Sequence, residues 1–320
     1  MTTIRDILLL HHSHTDIGYT NYQDNVFALH RGHIRRALLL AERYAHLAAG
    51  EQFKWLCETT VIVEDFLRHA TSTEIDALQD LHRRGLISFG GLYTNGTPLY
   101  TTEMLARTLY TAGRLRREYG FDIRHAINCD VNGQAWGLVE MLLDAGFEGL
   151  AMAINRVMAP DPQPRPTGFR WQGPTGRHIL TWHGEHYGDG NNLGIPRLPV
   201  PHGGLRWWQF NIEGSYPLVQ DYIRKLDAKG YAYDFALLQI IHPFMWDNDG
   251  PDEALVGFVQ EWNARGYTPA LKIVGIDELF ARIAAQDARH LPVHAGDWND
   301  WWAQGAGSSA FETAVARRAH

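Results

Sequence analysis

Short apolar runs alternate along this chain with longer stretches of helical periodicity. The runs at 7–10, 53–57, 86–89, 125–129, 149–153, 235–240 and 270–274 read as strands. Their apolar residues are nearly continuous, as in strands covered on both faces. Between them, apolar positions spaced three and four apart predict helices over 24–48, 61–69, 102–119, 134–145, 216–229, 252–265 and 276–284. Thr71, Ser72 and Thr73 offer a cap for a further helix to 84. Strands that alternate with helices of this length imply a parallel sheet or barrel. The expected fold is therefore α/β, a parallel (β/α) barrel-like domain of about seven strands.

The alternation lapses between 160 and 214, where proline, glycine, asparagine and tryptophan are dense. Two β-like runs, 168–172 and 178–182, form an expected hairpin about Gly173-Pro174-Thr175-Gly176. Residues 183–211 read as a long loop, a form usually reserved for function or disorder. After 290 the pattern changes again, with Trp298, Trp301 and Trp302 close together and a final short helix capped by Ser308. The expected division is a catalytic barrel at 1–290, then a linker and the start of a truncated helical region at 291–320. The ending Arg317-Arg318-Ala319-His320 suggests further domains beyond it.

Composition narrows the class. Of the 320 residues, 45% are hydrophobic and 20% charged, an ordinary globular balance. A net charge of -7 gives no electrostatic reason to expect nucleic acid. No apolar run approaches the roughly 18 residues of a membrane span, and no basic-then-apolar leader opens the chain. The two cysteines, Cys57 and Cys129, sit in apolar contexts and demand no disulfide, so a reducing cytoplasm is expected.

The chemistry concentrates at strand ends, where α/β folds gather working groups. His11, His12, His14 and Asp16 arrive within six residues after the first strand. Side chains two apart on an extended chain share a face, so His12, His14 and Asp16 can converge as imidazoles and a carboxylate suited to zinc or another divalent metal. Glu58 follows the second strand, Tyr93 and Asn95 the third and Asp130 the fourth. His242, Asp247 and Asp249 follow the strand at 235–240. Asp130 precedes Asn132-Gly133, which already supplies turn chemistry, so its carboxylate is available for more than a helix cap. Tyr19, Tyr93, Trp182 and Trp246 are candidates for stacking on sugar rings, with core packing the plain alternative.

These residues also carry a family resemblance. His14-Thr15-Asp16-Ile17-Gly18-Tyr19 resembles the His-x-Asp-x-Gly-aromatic motif of glycoside hydrolase family 38 α-mannosidases. Asp130-Val131-Asn132-Gly133 resembles their nucleophile motif, and Gly90-Gly91-Leu92-Tyr93 with Asn95 their Gly-Gly-aromatic stretch. The likeness covers about residues 5–285. It implies a metal-dependent retaining glycosidase for α-mannosides or related glycosides, in which His14, Asp16 and Asp130 bind zinc and Asp130 is also the nucleophile. Asp247 is the choice for acid/base, with Asp249 next. The family's fourth ligand is a histidine; the matching region here holds Asp297 and Asp300 and no histidine, and Asp300 is taken as the substitute, with Asp297 or water as the alternatives. Glu58, Tyr19, Tyr93, Asn95, Trp182, His242 and Asp249 complete the expected substrate pocket. Two other readings stay open: a metal-dependent amidohydrolase or carbohydrate deacetylase with His12 and His14 as joint ligands, and a non-catalytic carbohydrate-binding remnant of a larger enzyme.

Overall fold

The structure is a computed structural model. It describes residues 4–131, 133–155, 165–202, 205–241, 247–286, 291–298 and 304–319.

Strand β1 (Asp6–His11) is the axis. Every residue in it is buried: β10 (Phe235–Ile240) and β11 (Ala270–Val274) flank it in parallel, Ile7 and Leu9 join a core cluster with helix residues such as Ile34 and Ala37, and Leu8 and Leu10 join another made largely of strand residues such as Leu56, Ile127 and Ala151. In register, Leu9 lies between Leu238 and Ile273. Beyond the reach of β11, His12 bridges to Leu56 of β2 (Trp55–Cys57), which pairs in parallel with β3 (Ile87–Phe89). Just past β3, the Gly91 amide donates to the His125 carbonyl of β4 (His125–Asp130) at 3.0 Å. The parallel order then runs to β5 (Gly149–Ile154) and β7 (His178–His183).

The seven expected strands are therefore present, and the expected hairpin appears as β6 (Thr167–Gln172) antiparallel to β7. A closed ring is not. The ladders form separate sheets, of three, five, two and two strands, among the described residues. Two causes are visible. The links from β1 to β2 and from β3 to β4 are single contacts rather than ladders. The outer edge of β10 is occupied by α7 (Asp189–Asn192), whose Asn191 carboxamide accepts from the Ile241 amide and donates to its carbonyl. That side chain satisfies edge groups a closing strand would otherwise pair.

Several expected helices start or break elsewhere for local reasons. Residues 102–119 form α4 (Thr102–Arg107) and α5 (Tyr110–Tyr119), because the Thr108 carbonyl is taken by the Tyr93 amide at 2.9 Å. Helix α6 (Leu138–Asp144) begins four residues later than 134. Gln134 instead exchanges two backbone hydrogen bonds with Trp298, at 3.2 and 3.0 Å. Residues 183–211, expected as loop, contain α7 and the hairpin of β8 (Leu198–His202) and β9 (Leu205–Gln209). The 291–298 segment adds β12 (Val293–Ala295) to β6 and buries Trp298 against Phe169 and Trp171. Helices α1 (Gln23–Arg43), α2 (Thr60–His69), α3 (Ser72–Arg83), α8 (Ile212–Ala228), α9 (Ala254–Ala264) and α10 (Ile276–Ala285) follow the expected periodicity. Thr71 caps α3 with Glu74 in a reciprocal capping box. Ser308 ends α11 (Gln304–Ser308) rather than opening α12 (Ala310–Ala319). No helix among the described residues is long and apolar enough to cross a membrane.

Candidate active site

The site lies at the carboxyl ends of β1, β2, β4 and β10. His14, Asp16 and Asp247 each present a donor atom there, all within 4.8 Å of one another. His14 Nε2 stands 3.7 Å from Asp16 Oδ1. Simple strand alternation does not persist past the bridge at His12, so His12 parts from the other two. Its imidazole is fully buried, with Nδ1 3.8 Å from Glu58 Oε1.

Glu58, expected to touch substrate, is instead fully buried beneath the site. Its Oε1 accepts from His14 Nδ1 at 3.0 Å; its Oε2 accepts from the Thr15 amide at 2.6 Å and Asn95 Nδ2 at 3.3 Å. Asn95, also expected in the pocket, takes the Cys129 amide on its Oδ1, so it couples β4 to Glu58. Burial alone would push the His14 imidazole down, but the charge and hydrogen bond of Glu58, with the charges of Asp16 and Asp247, raise it to about 9. Burial would push Glu58 up, but the His14 charge and hydrogen bond, with the charge of His12, hold it far below the usual carboxylate range. Bonded to Glu58 through Nδ1, a neutral His14 keeps the Nε2 lone pair turned towards Asp16.

Asp130 ends β4 at a positive φ of 66°. The Val131 amide closes a tight turn on the Cys129 carbonyl at 2.7 Å, a strained arrangement that costs on the order of 1–3 kcal/mol and collects at functional sites. Asn155, just past β5, donates Nδ2 to Asp130 Oδ1 at 2.9 Å. Tyr187 stands with its hydroxyl 3.5 Å from Asp130 Oδ1 and 3.3 Å from Asp247 Oδ1. Its ring stacks on His14 at 4.1 Å between centroids. Burial, then the two aspartates, push this phenol up, so it remains a donor. One hydroxyl thus spans the two carboxylates expected to do chemistry.

Three carboxylates crowd one imidazole here. Burial, opposed by His14 and reinforced by Asp247 and Asp130, raises Asp16 to about 6. Asp247 is raised as well, chiefly by burial. Oxygens held this close need a shared proton or a cation. An imidazole nitrogen with carboxylate oxygens is a donor set that zinc takes, so the residues present fit a divalent metal. Asp130 is not among the three donors that meet within 4.8 Å; Asp247 stands in the place expected for it.

The remaining expected residues are dispersed. Trp182 is a correction: its indole is fully buried and packs on Tyr233 and Phe235, so no sugar reaches its face. Tyr93 packs on the core and donates its hydroxyl to Glu64 at 3.2 Å. Tyr19 is 84% exposed beside the Asp16 loop. Asp249 is half-buried in the Asp247 loop and outside the group of three donors. Asp297 accepts from the Trp136 amide at 2.6 Å on the surface. His242, Trp246 and Asp300 lie outside the described residues. Tyr187, Asn155 and Asn248 escaped the sequence reading. Asn155 directly follows a strand and was open to the strand-end rule; Tyr187 and Asn248 had only loop context.

Among solved structures, the chain is similar to an α-mannosidase from Enterococcus faecalis V583, with a TM-score of 0.66 and 14% identity, covering 92% of this chain and 31% of that one. It is also similar to a family 38 glycosyl hydrolase protein from Enterococcus faecalis (0.57, 16%, 92% and 29%). A third likeness is to a GH57 branching enzyme from Thermococcus kodakaraensis (0.53, 11%, 93% and 74%). At these identities the likeness is one of fold, mixed α/β with parallel sheets. The chain spans less than a third of the length of the two Enterococcus proteins. No curated protein matches it in sequence. Residues 5–297 match the family described as the glycosyl hydrolases family 38 N-terminal domain, and the chain belongs to that family.

Proposed function

We propose that this chain is the catalytic domain of a divalent-metal-dependent, retaining glycoside hydrolase that acts on α-mannosides or related glycosides. The supporting observation is the Tyr187 hydroxyl shared by Asp130 and Asp247 directly beside His14 and Asp16. A retaining enzyme needs two carboxyl groups about 5 Å apart, and carboxylates that one hydroxyl can reach are compatible with that spacing. Asp130 is the nucleophile: its carboxylate attacks the anomeric carbon and forms an ester as the glycosidic bond breaks. Asp247, its carboxyl raised by burial, gives its proton to the departing oxygen. In the second half, Asp247 takes a proton from water as the water's oxygen displaces Asp130 and restores the hydroxyl at the anomeric carbon.

In this reading His14 and Asp16, with the Asp130 carboxylate, would hold the cation. When bound, zinc or a similar ion supplies positive charge for adjacent sugar hydroxyls and for the crowded carboxylates. Glu58 orients His14, Asn155 orients Asp130, and Tyr19 offers an open ring face for the sugar. Residues 1–290 form the catalytic unit in this reading, 291–320 a linker and the start of a helical region, and the cytoplasm is the compartment.

One observation favours a second reading. Asp247, not Asp130, joins His14 and Asp16 within 4.8 Å. With Asp247 as third ligand, Asp130 becomes the base that activates water, as in an amidohydrolase or carbohydrate deacetylase. A fluorinated glycosyl inactivator that stalls at the ester separates the two. Mass spectrometry should find the label on the peptide bearing Asp130, and Asp130→Ala should remove both labelling and hydrolysis of aryl α-mannosides. Hydrolysis that survives Asp130→Ala refutes the nucleophile assignment; metal binding without glycosidase activity favours the second reading.

A further inference from the structure

Asn248 is 4% exposed and sits between Asp247 and Asp249 at a positive φ of 64°, a conformation asparagine tolerates better than most residues. Its amide donates to the His14 carbonyl at 2.8 Å. Its Oδ1 accepts from the Asp16 amide at 3.0 Å and from His30 Nε2 at 2.8 Å. Its Nδ2 donates to the Asp16 carbonyl at 2.8 Å and to Thr20 Oγ1 at 2.6 Å. Its carbonyl accepts from His33 Nε2 at 2.8 Å. Asparagine has one backbone donor, one backbone carbonyl, two side-chain donors and a side-chain oxygen with two lone pairs. Each of these groups is engaged.

The partners are not scattered. The side-chain carboxamide meets both backbone groups of Asp16, as a neighbouring strand would. The backbone holds His14 above and α1 below. A Cβ on Gly250 would come within 2.7 Å of His33 Nδ1, so the same loop is seated closely on α1.

The geometry points to Asn248 as the positioning residue that locks the His14–Asp16 loop to the Asp247 loop, so that an imidazole and two mutually repelling carboxylates are held ready for a cation. This rests on the second reading above, in which Asp247 joins His14 and Asp16 as a cation donor. Preorganised donors bind tighter because the cost of gathering them is met during folding. Other side chains lose this role: glycine adopts the backbone angle without the carboxamide, and aspartate keeps the shape but loses both side-chain donors.

Asn248→Gly tests it in the intact chain with two readouts. Hydrogen exchange of residues 14–20 should speed by about tenfold or more, while exchange in β1, β10 and β11 stays at wild-type rates. Calorimetric affinity for zinc ion should fall on the order of 10- to 100-fold, as when an outer-sphere partner of a metal ligand is removed. The visible spectrum of bound cobalt(II) should shift in band position as well as intensity. Wild-type exchange in 14–20, or loosening spread evenly over the core, overturns the clamp. Wild-type protein that binds no zinc, with selective loosening in the variant, supports the clamp and refutes the metal reading. Should Asn248→Gly fail to fold, Asn248→Ser, which keeps one hydroxyl, is judged by the same results.

Discussion

Glu58→Gln is the sharpest perturbation the site offers, because it changes charge and almost no volume. The glutamine can be placed two ways, and both fail. With its NH2 at the Oε2 position, it meets the Thr15 amide and Asn95 Nδ2, two donors facing a donor. With its NH2 at the Oε1 position, it must donate to His14 Nδ1. That forces the His14 proton onto Nε2, the nitrogen 3.7 Å from Asp16, and removes the lone pair a cation needs. The magnitude follows from His14. Its rise from 6.5 to about 9 corresponds to about 3 kcal/mol of stability at 1.36 kcal/mol per unit, close to the roughly 3–5 kcal/mol seen when one partner of a buried ion pair is removed. Because the folded value is raised, this stability is complete below pH 6.5 and disappears as pH rises through about 9. Thermal unfolding at pH 6 in chelator should therefore show the variant melting roughly 4 to 5 °C lower, with the gap narrowing above pH 9. Its zinc affinity should fall on the order of 10- to 100-fold. A variant that melts with the wild type at pH 6 and keeps its zinc affinity would show that Glu58 neither stabilises nor orients His14.

Three further outcomes are expected. Gly90→Ala places a Cβ 2.1 Å from the Glu58 carbonyl oxygen and 2.4 Å from Ile127 Cγ2; since backbone must move, denaturant titration should show a loss of at least about 3 kcal/mol or no folded protein. His30 is buried and held down to about 4 by that burial; its folded value is depressed, so stability present above pH 6.5 should decline by up to about 3 kcal/mol as pH falls through 4, and the unfolding free energy of His30→Gln should lack that slope. Tyr187→Phe removes the hydroxyl between Asp130 and Asp247 but leaves the ring on His14; kcat on an aryl glycoside should drop by about tenfold or more with zinc affinity close to wild type.

The features legible in the chain alone are local and repetitive. Continuous apolar runs such as Ile7–Leu10 mark strands covered on both faces, and three-four spacing such as Leu105, Leu109, Ala112 and Leu115 marks helices, because burial of each element depends on its own periodicity. The strand-end rule placed His14, Asp16, Asp130 and Asp247 in one neighbourhood for the same reason: parallel strands all point their carboxyl ends one way. Short motifs carried the family. Tertiary structure decided everything that depends on what arrives from elsewhere. Glu58 looked like any polar strand-end residue until β1 and β3 buried it under His14. Trp182 looked like a sugar platform until Tyr233 and Phe235 closed over it. Gln134 read as helix until Trp298, over 160 residues on, took its backbone hydrogen bonds. Whether Asp130 or Asp247 stands with His14 and Asp16, and that Tyr187 and Asn248 hold them there, rests on contacts between segments up to 234 residues apart, as in the Asn248–His14 pair. Periodicity records which face of an element is buried; it carries no record of the partner, and the partner is what sets the charge and aim of each group in this site.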